Sequence, residues 1–458
     1  MRKLDGVLQV KLYHWTLIIS LLVGLPQYAV AEPNTIFGTV KDVQTGVSLT
    51  NVELRTSDDF ALSEADGSFQ LHSNDAEIVV RLPGYLPQKI AAAFPLHLSL
   101  QPFTPKALYL SYWAADSHDR REQLQHLLDE TGMNALVIDL KSSRGDIAFR
   151  SEVPLAKAVG AQKVRTLKDL PEFLAELKRQ GIYTIGRIVV FKDGALAKNR
   201  RDLAVHTLDG YLWGDREKIS WTDPFNPEVW DYNISIAKEA AAMGFDEIQF
   251  DYIRFPAKSD LMFSRENNGA NRVAAINGFL QRARQQLAEY PVMTSANIFG
   301  YICWKHKDQK IGQRLIDLAE HVDYLSPMLY PSGFPHGVPG YKNPVENSYE
   351  VVAHSLQKAS ELTGLPAVRF RPWLQAFRDY AFDRRSFTAD EIHAQINASD
   401  ASGSHGWMLW NAASRFSLAG LQQAIPLGEL NLVDASPKAG DSTILTRAAE
   451  AENTYPLM

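Results

Sequence analysis

The stretch "DEIQFDYIRFP" (246–256) reads as a buried strand with a carboxylate, Asp251, set between Phe250 and Tyr252. A charge in such a place is costly unless something pairs it or uses it. Side chains alternate along a strand, so Ile248 and Phe250 share one face and Glu247, Gln249 and Asp251 the other. In "ALVIDLK" (135–141) the same alternation sets Asp139 and Lys141 against Leu136, Ile138 and Leu140. Arg187 in "YTIGRIVVF", Asn297 in "VMTSANIFGY", Tyr330 in "YLSPMLYP", and Arg371, Trp373 and Gln375 in "RFRPWLQAF" add polar and aromatic groups on further strands. Carboxylates, amides, arginines and aromatics gathered in one place suit glycoside hydrolysis. That reaction needs one carboxyl to protonate the leaving oxygen and a second to attack or to activate water. It needs no metal or cofactor, and the twelve histidines contain no H-x-H or H-E-x-x-H spacing. No G-x-S-x-G elbow is present either, which argues against acyl transfer by that route.

Eight strand-like runs carry these residues between Lys106 and about Leu418: 107–113, 135–141, 183–191, 247–255, 292–301, 324–331, 369–377 and 406–412. Amphipathic stretches such as "DLPEFLAELKRQG" and "PEVWDYNISIAKEAAAMG" lie between them and end on Gly181 and Gly244, as helices often do. The alternation predicts an α/β fold, a (β/α)8 TIM barrel over 106–425, with a doubly wound open sheet as the alternative. No glycine-rich phosphate loop follows the first strand, which weakens the dinucleotide version of that alternative. In a barrel the catalytic groups stand at the carboxyl ends of the strands. Asp251 is therefore expected to point inward near such an end, with Gln249 on the same face. Asp246, Glu247 and Asp323 fall at strand starts and are discounted. The competing reading is that Asp139, Arg187 and Arg371 form a purely structural ion network. Trp304, Trp373 and Trp410 are expected either to stack on sugar rings or to fill the core.

The chain has 458 residues, 45% of them hydrophobic and 22% charged, with a net charge of -6. That is length enough for two domains, and with no basic tract nucleic acid is not an expected partner. Cys303 is the single cysteine, so no intrachain disulfide framework exists. Residues 1–31 combine a basic start (Arg2, Lys3, Lys11), the apolar run "LYHWTLIISLLVGL" and "AVA". This predicts a signal peptide cleaved after Ala31, an exported protein (periplasmic or extracellular) and no membrane span after cleavage. Residues 35–100 alternate short apolar segments with turn signals, as in a small N-terminal all-β sandwich domain. Residues 426–458 lose periodicity and read as a flexible tail. The oligomeric state is left open.

Two resemblances follow from these residues. "GTVKDVQTGVSLTNVEL…EADGSFQL…VVRLPGYLP" resembles the carboxypeptidase regulatory-like domain, a transthyretin-like β-sandwich, which implies a presenting or binding role. "FDEIQFDYIRFP", "HVDYLSPMLYPSGFPHGVPGYKNP", "RFRPWLQAF" and "GWMLWNA" resemble a bacterial glycoside hydrolase family of (β/α)8 barrels, over roughly 107 to 418. Its reaction class is assigned by similarity to other barrel glycosidases. The resemblance implies a carbohydrate substrate and a catalytic Asp251, with Arg254, Tyr330, Trp373, Gln375, Trp407 and Asn411 at matching motif positions. Against the expected family pattern "SADVFG", this chain reads "SANIFG", with Asn297 in place of an acid. An amide cannot act as a general acid, so the proton donor falls to Asp139, Asp308 or Asp193. The expected set is thus Asp251, Asp139 and Asp308 for catalysis, and Gln249, Arg254, Asn297, Trp304, Tyr330, Arg371, Trp373, Gln375, Trp410 and Asn411 for binding substrate. A non-catalytic carbohydrate-binding barrel and an envelope scaffold are the rival readings.

Overall fold

The computed structural model describes residues 34–422, so the signal-peptide and tail expectations (1–31 and 426–458) lie outside the described residues. Two layers of strands come first. β1 (Thr35–Asp42) lies between β4 (Ser68–His72) and β7 (Leu96–Leu100) in one sheet. β2 (Glu53–Arg55), β3 (Phe60–Leu62), β5 (Glu77–Arg81) and β6 (Gln88–Ala91) form the other, in the order β3-β2-β5-β6. Ile36, Val40, Leu54, Leu71, Ile78, Val80 and Leu98 close a separate small core, as alternating apolar strands should.

Eight parallel strands then close a barrel in the order β10-β11-β12-β13-β14-β15-β8-β9. They are β8 (Lys106–Leu110), β9 (Ala135–Lys141), β10 (Tyr183–Val189), β11 (Glu247–Asp251), β12 (Met293–Phe299), β13 (Tyr324–Met328), β14 (Trp373–Gln375) and β15 (Trp407–Trp410). The open-sheet alternative is thereby excluded. All eight anticipated strands are present, but most end earlier than their sequence patterns suggest. The chain leaves the sheet where inward residues turn polar. β11 stops at Asp251 because Tyr252 takes a left-handed backbone (φ +50). A helix follows each strand: α1 (His118–Glu130), α2 (Leu170–Arg179), α3 (Pro227–Met243), α4 (Gly269–Gln286), α5 (Leu315–Leu318), α6 (Ser348–Thr363), α7 (Ala389–Ala401) and α8 (Leu418–Leu421). α3 shows how local chemistry sets their limits. Asn226 caps its start by accepting from the Glu228 N–H, and Gly244 ends it at φ +98, a conformation only glycine adopts without cost.

The β-layers sit against the end of the barrel where its strands begin. Phe103 stacks on Tyr183, the first residue of β10, at 5.3 Å between ring centroids. The Gly84 N–H donates to the hydroxyl of Tyr324, the first residue of β13 (2.9 Å). Arg81, 2% exposed, ion-pairs with Glu53 and donates to the Val292 carbonyl (3.2 Å). Arg284 of α4 reaches both Glu53 (2.9 Å) and Asp323 (3.4 Å). Burial alone would raise both carboxyls. Arg81 and Arg284 outweigh it and hold Glu53 and Asp323 below their ordinary values.

Depressed carboxyls stabilise the fold above their unfolded values, and that stabilisation is lost as pH falls through the lower folded values. Arg81→Ala, which removes the buried partner of Glu53 and leaves Arg284 alone to offset Glu53 and Asp323, is therefore expected to destabilise the protein by about 3 kcal/mol at pH 7. The deficit should shrink below about pH 4. Urea unfolding of both proteins at pH 7 and pH 3 checks this; a deficit that does not change with pH contradicts it.

Candidate active site

At the other end of the barrel, the carboxyl ends of β9, β10 and β11 bring three charges together. Arg187 donates from Nη1 to Asp139 Oδ1 (2.5 Å), and from Nε and Nη2 to Asp251 Oδ2 (2.9 and 2.6 Å). All three are 4–5% exposed. Burial pulls the Arg187 guanidinium down, but Asp139 and Asp251 overcome this and hold it well above its ordinary value. Asp251 Oδ1 accepts from the Tyr252 N–H (2.6 Å), so the left-handed turn at Tyr252 helps to aim the carboxylate. Non-glycine residues in that conformation are uncommon and cluster at functional sites. Asp139 Oδ2 accepts from the Tyr109 hydroxyl and from the Tyr112 N–H (3.3 Å). Both Asp139 oxygens are thus committed as acceptors within the protein.

The opposite wall of the mouth is aromatic. Trp410 stacks on Tyr109 at 4.0 Å and meets Trp373 edge-on at 5.3 Å. Arg187 lies over the Trp410 ring at 4.9 Å. Tyr330 packs edge-on to Phe377 at 5.4 Å. A sugar ring laid on half-buried Trp410 would present its flank to the charged side. Asn297 Oδ1 accepts the Trp373 Nε1–H (2.8 Å) and so fixes that indole.

Other expected residues take different positions. Arg371 is fully buried nearer the strand starts, paired with Glu247 (2.5 Å) and over the Tyr324 ring at 4.2 Å. It is not joined to Asp139 and Arg187 in one network. Asp308 pairs with Arg272 of α4 (2.7 Å) and accepts from the Gly312 N–H (3.2 Å), outside the barrel interior. Trp304 donates its Nε1–H to Ser355 of α6 (2.9 Å), in the helix layer. Gln249 is fully buried, facing Ser326 and Met408 at 3.4 Å each. Gln375 bonds Ser332 (2.7 Å) and pins the loop after β13. Asn411 donates to the Ala376 carbonyl (2.7 Å) and accepts from the Ala413 N–H (3.0 Å) in its own turn. Asp193 is locked to Lys141 (2.8 Å) and caps a short helix through the Leu196 N–H (2.8 Å). Lys141 packs toward Tyr232 of α3 instead of the barrel interior, because the β9–β10 register shifts between Arg187 and Ile188.

The residues that sequence reasoning passed over are Tyr109 and Arg187 as site members, together with Tyr252 and Trp221 of the rim. Tyr109 shares the inward face of β8 with Ala107, two residues before it, a signal legible in the sequence. Surface cavities of about 340 and 650 Å3 are lined by Arg150–Arg165 residues and by the α4–α5 groove, respectively, and neither includes Asp251.

Residues 107–416 match the model of the family described as "Putative glycosyl hydrolase domain". No protein of curated function matches this chain. Among solved structures, a hypothetical protein from Ruminiclostridium thermocellum ATCC 27405 is 38% identical with a TM-score of 0.37, over 41% of this chain and 96% of that one. The PgaB (BpsB) glycoside hydrolase domain from Bordetella bronchiseptica is 13% identical with a TM-score of 0.46, over 68% and 95%. A chitinase from Chromobacterium violaceum ATCC 12472 is 12% identical with a TM-score of 0.43, over 70% and 98%. At these scores no residue or substrate is carried over from those proteins.

Arg187→Met is expected to leave two facing buried carboxylates without their cation and to destabilise the fold by about 3–5 kcal/mol. Adding Asp139→Asn to that variant removes one stranded charge and should recover part of the loss. Chemical denaturation of the wild type, the single variants and the double variant checks this; strict additivity contradicts it.

Proposed function

This chain belongs to the glycosyl hydrolase domain family, and from that premise we propose that it cleaves glycosidic bonds of an oligosaccharide or polysaccharide at the barrel mouth, with Asp251 as the working carboxylate. The observation that carries this reading is the clamp of Arg187 on Asp251 at the carboxyl end of β11, facing the Trp410 wall. In the proposed mechanism Asp251, aimed by Arg187 and the Tyr252 N–H, attacks or stabilises the oxocarbenium-like centre as the anomeric carbon–oxygen bond breaks; a water molecule at the open rim protonates the departing oxygen, and the hydroxide left completes hydrolysis at the anomeric carbon and frees Asp251. Asp139 acts as a positioning residue, since its oxygens are taken up by Arg187, Tyr109 and Tyr112. We further propose that the basic start, the apolar run and "AVA" direct export, and that residues 35–100 brace the barrel from the end opposite Asp251. The structural role of Asn297 favours a second reading, binding of glycan without turnover.

Assay of reducing ends over a panel of bacterial polysaccharides separates these readings. Wild-type turnover that drops at least about a hundredfold in Asp251→Asn supports hydrolysis; glycan binding with no turnover in the wild type supports the second reading. Asp139→Asn is expected to slow cleavage equally for glycosides with poor and with activated leaving groups. Selective sparing of the activated substrates would make Asp139 the general acid instead.

A further inference from the structure

Arg254 leaves the barrel three residues after Asp251, and its surroundings differ from those of its cationic neighbours. Arg187 is held by two carboxylates, and Lys192 by Asp215 and Glu217 at 2.9 Å each. Among the described residues no carboxylate lies within ion-pair distance of Arg254. Among the described residues its only hydrogen bond runs from Nη1 to the Phe255 carbonyl (3.2 Å). Burial pulls its guanidinium below the ordinary value, and Tyr252, Asp251 and Asp215 do not make up the difference, the reverse of the balance at Arg187.

The group is nevertheless well held. Its guanidinium lies 4.9 Å over the Trp221 ring and 5.3 Å over the Tyr252 ring. Trp221 is fixed in turn, because its Nε1–H donates to Asp215 Oδ2 (3.1 Å) and Asp215 is tied to Lys192. A guanidinium stacked on two rings loses little freedom when its free edge binds an oxyanion. The rings continue outward from Asp251, with Trp213 6.2 Å from Trp221 and half-buried. Trp221 itself is buried beneath the guanidinium, so the rim beside Asp251 offers the half-buried rings of Tyr252 and Trp213 and one pre-positioned, uncompensated fork of N–H donors.

We propose that this rim is a subsite for an anionic sugar, whose carboxylate or sulfate oxygens take the free edge of Arg254 while the ring rests against the half-buried Tyr252 and Trp213. Fork-shaped donors favour such oxyanions over hydroxyls by charge-assisted, paired hydrogen bonds. The inference rests on the glycan-cleaving reading of the same mouth, but it makes a separate claim: the substrate class is acidic.

The test uses the full chain carrying Asp251→Asn, so that ligands survive, with and without Arg254→Gln. The probes are oligosaccharides of alginate, polygalacturonate and chondroitin sulfate. Each is paired with its carboxyl-reduced form, and chondroitin sulfate also with its desulfated form. Calorimetry should show at least one acidic probe binding about tenfold or more tighter than its neutral counterpart. Arg254→Gln should erase that preference, with thermal stability near that of the parent. Loss of affinity on carboxyl reduction identifies a carboxylate, and loss on desulfation a sulfate. Equal affinity for charged and neutral forms, a preference that survives Arg254→Gln, or no binding of any acidic probe would overturn the proposal. Wild-type turnover is followed in parallel. Asp251-dependent cleavage of neutral glycans alone sinks this inference and leaves the hydrolase reading intact. An Arg254-dependent preference without turnover does the opposite.

Discussion

One guanidinium shared by two carboxylates organises the mouth of this barrel. Without Arg187, Asp139 and Asp251 would be two like charges at 4–5% exposure with no cation between them. Such an arrangement forces one acid to take up a proton or the site to open. With it, both acids are oriented from strands on either side of β10, and Trp410 closes over the cation. The left-handed turn at Tyr252 is part of the same device. It ends β11, supplies an N–H to Asp251, and swings Tyr252 and Arg254 out to the rim.

Ion pairing recurs down the barrel but changes purpose with depth. Near the strand starts, Glu247 and Arg371 are fully buried and flanked by Tyr183 and Tyr324. Below them, Arg81, Glu53, Arg284 and Asp323 join the β-layers to the barrel floor. These lower pairs are buried apart from the part-exposed Arg284 and serve architecture. Only the top group has an aromatic wall and a partly open rim beside it. The β-layers seal the end away from Asp251, so they brace the barrel and do not extend its mouth.

Period-two alternation sets Asp251 and Asp139 inward, because each lies in a strand whose apolar partners are unambiguous; for Arg187 it does so only if Ile185 shares its face, and Ile185 does lie in the barrel interior. Alternation reports face but not depth, which is why Arg371, on the inward face, was expected among the substrate contacts and instead lies beneath them. Lys141 escaped the rule because the register slip beside Arg187 turns it toward α3. Trp304 ends a short 3-10 helix (Gly300–Trp304) and Asp308 sits in the turn beyond it, where strand alternation does not apply, and both meet helix-layer partners. The departure at Asn297 was legible as a residue change. Its consequence was not, since the bond to Trp373 joins β12 to β14, which are not neighbours in the barrel.

The central claim is that glycan chemistry takes place between Asp251 and the Trp410 wall. A crystal structure of Asp251→Asn with an oligosaccharide selected from the panel tests it most directly. The account predicts a sugar ring stacked on Trp410 and a glycosidic linkage within hydrogen-bonding reach of residue 251. An oligosaccharide seated on the outer wall, or at the floor among the β-layers, with the mouth vacant, would contradict it.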